Sequence, residues 1–216
     1  MSASVALLNV EALARGQRMD YIKRYLWEAK EIIDQIDQKQ IDEVIVLVKD
    51  IREKRGRLFF LGVGGGAANA SHAVNDFRKI CGLEAYTPTD NVAELSARIN
   101  DDGWNTVFVE WLKQSRLGSR DGIFIFSVGG GSLEKNISAN LVGAIDHAKK
   151  MKAKVLGIVG RDGGYTSRMS DACIIVPIVN PETVTPHTEA FQALLWHLIV
   201  SHPEMKACPM KWESVK

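Results

Sequence analysis

Four short, unbroken apolar runs constrain this chain more than any other feature. They are Leu58 to Leu61, closed by Gly62, then Gly122 to Phe126, Val155 to Val159 and Cys173 to Pro177. Each is too short for a helix, and none alternates polar with apolar as a strand with one wet face would. Each therefore reads as a parallel strand covered on both sides. Between them, apolar residues recur at three- and four-residue steps over Ala67 to Ile80, Val92 to Asn100, Trp104 to Gln114, Leu133 to Met151 and Glu189 to Val200, which predicts helices there. Strands alternating with helices select an α/β fold, a doubly wound parallel sheet flanked by helices on both faces, with Glu84 to Thr87 as a further short strand. Ahead of the sheet, Tyr21, Ile22, Tyr25, Leu26, Ala29, Ile32 and Ile33 mark one amphipathic helix. Ile41, Val44, Ile45, Leu47, Val48 and Ile51 mark a second, together an N-terminal helical extension.

At 216 residues one large domain is expected, with residues 1–55 as its helical extension, 56–203 as the sheet domain and 204–216 as a tail. Basic and acidic side chains balance at 27 against 26, so no global field exists to hold nucleic acid or an anionic membrane. A local basic patch is still compatible with that balance. Three widely spaced cysteines, Cys81, Cys173 and Cys208, form neither a disulfide framework nor a zinc ribbon, and fit a reducing cytoplasm. The first eighteen residues have only Val5 to Leu8 as an apolar patch, too little for a secretion signal, and no segment has the length of a membrane span. A soluble, cytoplasmic protein is expected.

In a doubly wound sheet, ligands bind beyond the carboxyl ends of the strands, which directs attention to two loops. Gly62-Val63-Gly64-Gly65-Gly66 follows the first strand, and Ser127-Val128-Gly129-Gly130-Gly131-Ser132 follows the next strong one. Glycine lets a ligand approach the peptide N–H groups, and a helix N-terminus adds positive potential, so both loops suit a phosphate. The first also spells a weak dinucleotide signature through Gly62, Gly64 and Ala67, with Glu84 as its only acidic ribose candidate. No Gly-Lys-Ser/Thr follows either run, which excludes a Walker loop. The bland alternative for each is a tight turn with no ligand.

Two pairs of polar residues interrupt helical stretches. His72 and Asp76 are one turn apart on the helix leaving the first loop, and Glu189 and His197 are eight apart on the last helix. Each histidine alone is as well explained as a core or interface residue. His147, beside Lys149 and Lys150, reads as solvated; His202 ends a helix, and His187 lies in the loop before it. Together His72, Asp76, Glu189 and His197 suit Zn²⁺ or a related divalent ion. Eight helical residues advance about 12 Å and turn about 80° off register, which makes Glu189 the least secure of the four.

These residues resemble the phosphoheptose isomerases, the sedoheptulose 7-phosphate isomerase branch of the sugar isomerase (SIS) domain family, from about Leu7 to His202. That family's first loop reads Gly-Asn-Gly-Gly-Ser and leads to a helix with His and, four residues on, Glu; here it leads to His72 and Asp76. Its Asn-Asp-x-Gly-[FW]-x-x-x-Phe motif is matched from Asn100 to Phe108, with Asp101 as the acidic member. Its Ser-Thr-Ser-Gly-Asn-Ser loop corresponds to Ser127 to Ser132, its Gly-[KR]-Asp-Gly-Gly turn is Gly160 to Gly164, and its Gln and His eight apart fall on Glu189 and His197.

The resemblance implies a flavodoxin-like SIS domain, a homotetramer packed through the N-terminal helices, and aldose–ketose isomerisation of a seven-carbon sugar phosphate through an enediol. It assigns metal binding to His72, Asp76, Glu189 and His197. Base and proton-shuttle work then falls to a set formed by Asp76, His197, Glu189 and Asp101. The family's amide is missing at Val63 and its hydroxyls at Gly66, Val128 and Gly129. The anion is left to the backbone of Gly64, Gly65, Gly66, Gly129 and Gly130 and the hydroxyls of Ser127, Ser132 and Thr89. Those losses motivate a rival reading, a non-catalytic SIS-domain sugar-phosphate sensor or protein adaptor. A nucleotide-dependent oxidoreductase, resting on the glycine signature alone, is a third.

Overall fold

Five parallel strands in the order β2-β1-β3-β4-β5 form the centre of the molecule. The computed structural model describes residues 20–214; the reading of the first eighteen residues lies outside them. Helix α1, in its described part, covers residues 20–35. The chain continues through α2 (Gln38–Glu53), β1 (Leu58–Gly62), α3 (Gly65–Lys79), β2 (Ala85–Tyr86), α4 (Val92–Asp102) and α5 (Val107–Gln114). It then runs through β3 (Gly122–Ser127), α6 (Ala139–Lys150), β4 (Lys154–Val159), α7 (Gly164–Met169), β5 (Ala172–Ile175), α8 (Val184–Ser201) and α9 (Lys211–Ser214). Among the described residues no helix is long and apolar enough to cross a membrane.

Successive strand residues face opposite sides of the sheet, and both sides are covered. Phe60, Phe124, Phe126, Leu156 and Ile174 pack under α2, α3 and α8, whereas Phe59, Leu61, Ile123, Ile125 and Val155 pack under α5 and α6. This double burial is why the strands are apolar throughout. The strand order reverses between β1 and β3, where Gly62 pairs beside Phe126, so the two glycine loops leave the sheet side by side at the switch point where such sheets bind ligands.

Several element boundaries differ from the sequence-based expectation. The helix predicted from Leu133 begins only at Ala139. Leu133 and Ile137 have helical spacing, but Ser132 and Ile137 exchange backbone hydrogen bonds and Asn136 and Ser138 take left-handed φ of 51°, which closes a turn instead. Helix α8 starts five residues earlier than predicted, because Pro186 sits in its first turn, where a missing N–H costs no helical hydrogen bond. His187 is therefore a buried helical residue rather than a loop residue. His147 is half-buried, not solvated; burial, with help from Lys113 and Lys150, lowers its pKa, and its Nε2 is buried without a partner. The tail is also ordered: Met205 is fully buried, Arg52 donates to the carbonyls of Glu204 and Met205 at 2.7 and 2.6 Å, and a short α9 follows.

Helix α1 is fastened to α8 by one buried carboxylate. Glu28 is 1% exposed and accepts from Asn180 Nδ2 at 2.6 Å, Thr183 Oγ1 at 2.7 Å and His187 Nε2 at 2.9 Å, while Tyr25 stacks on the His187 ring. Burial opposes the charge on Glu28, but these hydrogen bonds and the nearby imidazole outweigh it and hold the carboxyl below its ordinary value.

Candidate functional site

Helices α3 and α8 lie against each other on one face of the sheet, and two buried or half-buried amides set their register. Asn69 donates to the Glu189 carbonyl at 2.9 Å and to Gln192 Oε1 at 3.1 Å, and Gln192 in turn donates to the Ile158 carbonyl at 3.2 Å. With that register fixed, His72 and Asp76 on α3 meet His197 on α8. One ligand atom from each lies within 4.8 Å of the others, and Asp76 Oδ2 is 3.8 Å from Nε2 of both histidines. Asp76 is 13% exposed, against 59% for His72 and 45% for His197, so the group opens to solvent at its imidazole side.

Trp196 supports both rings. It is fully buried, stacks on His197 with centroids 3.4 Å apart, and meets His72 edge-on at 4.6 Å. His197 Nδ1 lies 2.7 Å from the Ala193 carbonyl. A carbonyl only accepts, so Nδ1 carries a proton and Nε2 is the nitrogen turned toward Asp76.

This donor set fits a divalent metal ion. Two atoms each about 2.0–2.1 Å from a tetrahedral zinc are about 3.4 Å apart, only slightly closer than the 3.8 Å separations here. Two imidazoles and a carboxylate leave one position open, the pattern of a catalytic rather than a structural site.

Glu189, the fourth expected ligand, is not gathered with them. It sits more than two helical turns from His197, and its carboxylate lies over Gly65, where a Cβ would collide with it. Helix α3 has no acidic residue in its first turn and no side-chain cap, so the Glu189 carboxylate supplies negative charge to its N-terminus from another helix. At Gly65, expected to hold a phosphate, a carboxylate therefore already lies beside the backbone, whereas Gly64 has open space around it and Gly66 packs against Phe126. Glu189 makes no side-chain hydrogen bond among the described residues. With Gly66, Ser127, Val128, Gly129 and Gln192 it lines a cavity of about 180 Å³ between the two glycine loops.

The second loop is built differently. Gly130 has φ of 66°, and a Cβ there would collide with the Gly163 carbonyl, so only glycine fits. The Gly130 and Gly131 carbonyls are turned away to accept from Thr166 and Tyr165, at 2.9 and 2.8 Å. Ser127 Oγ accepts from the Gly130 N–H at 3.0 Å and Ser132 Oγ from the Lys135 N–H at 3.2 Å, which leaves both hydroxyl protons free to donate. The N–H groups of Gly129 and Gly131 have no partner among the described residues. Thr89 and Asp101 stand apart from these groups. Thr89 pairs with Thr87 at 3.0 Å, and Asp101 is exposed near the end of α4, accepting from Asn100 at 2.9 Å.

Comparison with known proteins fits this geometry. No family model matches the chain. It is 31% identical over 167 residues to the lincomycin biosynthesis protein LmbN of Streptomyces lincolnensis, covering 72% of this chain and 59% of that one, so it spans less than two thirds of LmbN. It is 29% identical over 169 residues to the phosphoheptose isomerase of Helicobacter pylori (strain P12), covering 75% of this chain and 81% of that one. The structure of phosphoheptose isomerase GmhA from Neisseria gonorrhoeae superposes with a TM-score of 0.73 over 86% of this chain and 96% of that one, at 24% identity. The chain is similar to phosphoheptose isomerases over about three quarters of its length and has their SIS fold. Within the SIS fold, the expectation of a doubly wound sheet with N-terminal helices is met. Sequence reasoning missed Asn69, Gln192 and Trp196; each stood in plain sight as a polar or bulky residue on α3 or α8, but only the packing of the two helices gives it a role.

Proposed function

We propose that the protein is a metal-assisted aldose–ketose isomerase that converts sedoheptulose 7-phosphate to D-glycero-D-manno-heptose 7-phosphate. The observation that carries this reading is the meeting of His72, Asp76 and His197, from two distant segments, at one point between α3 and α8. His72, Asp76 and His197 would hold the metal ion, zinc being the best match to the donors, and its chemistry is to polarise the substrate carbonyl. Glu189 lies more than two helical turns from His197, too far to act on the same carbonyl, so moving the proton between the two carbons next to and bearing the carbonyl falls to the set of Asp76 and His197. The hydroxyls of Ser127 and Ser132 and the N–H groups of Gly129 and Gly131 hold the phosphate, which fixes the reacting end of the sugar at a set distance; Gly130, whose N–H is spent on Ser127, does not take part. Asp101 and Thr89 reach the sugar only if the segment around α4 closes over it.

A sensor or adaptor has no use for two imidazoles and a carboxylate converging on one point, which favours the enzyme over that rival. The family likeness and the exposed apolar side chains of α1 support a cytoplasmic homotetramer. The deciding experiment incubates the zinc-loaded protein in deuterium oxide with C5, C6 and C7 ketose phosphates. Deuterium should enter at the carbon next to the carbonyl, fastest with the seven-carbon sugar; absence of exchange with all three overturns the isomerase reading.

A further inference from the structure

A second cavity, of about 630 Å³, opens beside the same loop and shares Val128 and Gly129 with the smaller one. Its lining brings together Lys135, Arg161 and Arg168 from three separate segments. None of these cations has an ion pair or a hydrogen bond from its charged group among the described residues, although elsewhere Arg57, Arg98, Lys54 and Lys113 are all paired with carboxylates. Three unpaired cations around one concavity repel each other, and an anion that neutralises them removes that cost. The Arg161 stem runs past Gly129, with its Cδ 3.9 Å from where a Cβ would stand. The guanidinium is thereby carried over the loop whose N–H and O–H donors are free. Two carboxylates also line the cavity, but Asp162 is engaged with the Gly164 N–H at 3.2 Å, which leaves exposed Glu134 as the only one without a hydrogen bond. Thr185, in the first turn of the eighteen-residue α8, adds the positive end of that helix to the wall.

We infer that this basic cavity is a phosphomonoester subsite in which Arg161 and Arg168, assisted by Lys135, supply the charge that the loop's missing hydroxyls do not. The favoured occupant is the phosphate of the sugar substrate, and to that extent the inference rests on the isomerase reading. The subsite itself does not. Guanidinium groups bind phosphate oxygens in pairs, so the exchange of hydroxyls for arginine trades neutral donors for charge-assisted ones. Selectivity for the dianion over a neutral sugar follows from that exchange.

The test titrates the purified full chain with inorganic phosphate by calorimetry at low salt. The double variant Arg161→Gln/Arg168→Gln should bind about tenfold or more weakly than the unaltered protein, and about 0.5 M sodium chloride should erase most of the difference. Arg120→Gln, which removes an exposed cation at the opposite end of β3, should stay within about twofold. Both arginines are exposed and unpaired, so the double variant should fold normally. Equal phosphate affinity in the double variant and the unaltered protein overturns the subsite whatever the enzyme turns over. In the isomerisation assay, competitive inhibition by phosphate assigns the site to the substrate's own phosphate, and non-competitive inhibition assigns it to a separate phosphate-bearing ligand. Failure of isomerisation alone leaves the binding result standing.

Discussion

Single side chains separate the metal group from its neighbours. His72→Ala and His197→Ala should each lower zinc affinity by more than about a hundredfold, whereas Glu189→Gln should retain stoichiometric zinc. Metal analysis after dialysis against free zinc reads this directly, and loss of zinc from Glu189→Gln would return that residue to the ligand set. The same substitution should cost about 0.5–1 kcal/mol of stability in urea titration, because the α3 N-terminus, which has no acidic residue in its own first turn, loses the negative charge beside Gly65. The thiols give a second contrast. Burial pushes Cys81 and Cys173 each up to about 12, while Cys208 is exposed. One thiol per native chain should react promptly with a disulfide reagent, and three after unfolding. His72, Asp76 and His197 were legible as a set because helical spacing alone aligns the first two. Arg161, Arg168 and Lys135 were not, since they come from three segments with no shared period and converge only when the loops fold.

Elements follow the hydrophobic pattern wherever both faces of the sheet are covered, and depart from it where the chain turns back on itself. Strands β1, β3 and β4 were visible as apolar runs because burial on two faces leaves no polar position to blur them. The start of α6 was not, since Leu133 and Ile137 imitate a helical face while lying exposed in a turn. The seam between α1 and α8 was also hidden, because Glu28 and His187 belong to no motif. Its energetics can be checked. A carboxyl held below its ordinary value in the fold contributes stability above the unfolded value, and that contribution is lost as pH falls through the lower folded value. Unfolding free energy should therefore drop below about pH 4.5 in the unaltered protein, and less so in Glu28→Gln. At pH 7 Glu28→Gln should itself cost about 2–3 kcal/mol, because Asn180, Thr183 and His187 lose a charged acceptor in a buried setting. Parallel denaturation curves for the two proteins across pH 3.5–7, contrary to this expectation, would mean that Glu28 carries no linked proton.

At the scale of the molecule, α1 presents Tyr21, Ile22, Leu26, Trp27 and Ile33 to solvent, with Leu26 65% exposed. A run of that kind on one helix is a surface awaiting a partner, and the proposed homotetramer would cover it with a second copy of the chain. On that proposal the unaltered protein should have the mass of a tetramer by light scattering and Leu26→Asp/Trp27→Asp a smaller one, with the far-ultraviolet spectrum unchanged; equal masses would direct the search to another surface.

The last dozen described residues bear on how this chain can be handled. With Arg52 gripping the carbonyls of Glu204 and Met205, and the Ala207 and Cys208 N–H groups bound to the Ile80 carbonyl at 2.8 and 3.0 Å, the carboxyl end is stitched to the bottom of α2 and to the exit of α3. A protease cut or stop codon at residue 203 would therefore uncap the helix that carries His72 and leave a hole where Met205 had been. Purification handles belong beyond Ser214.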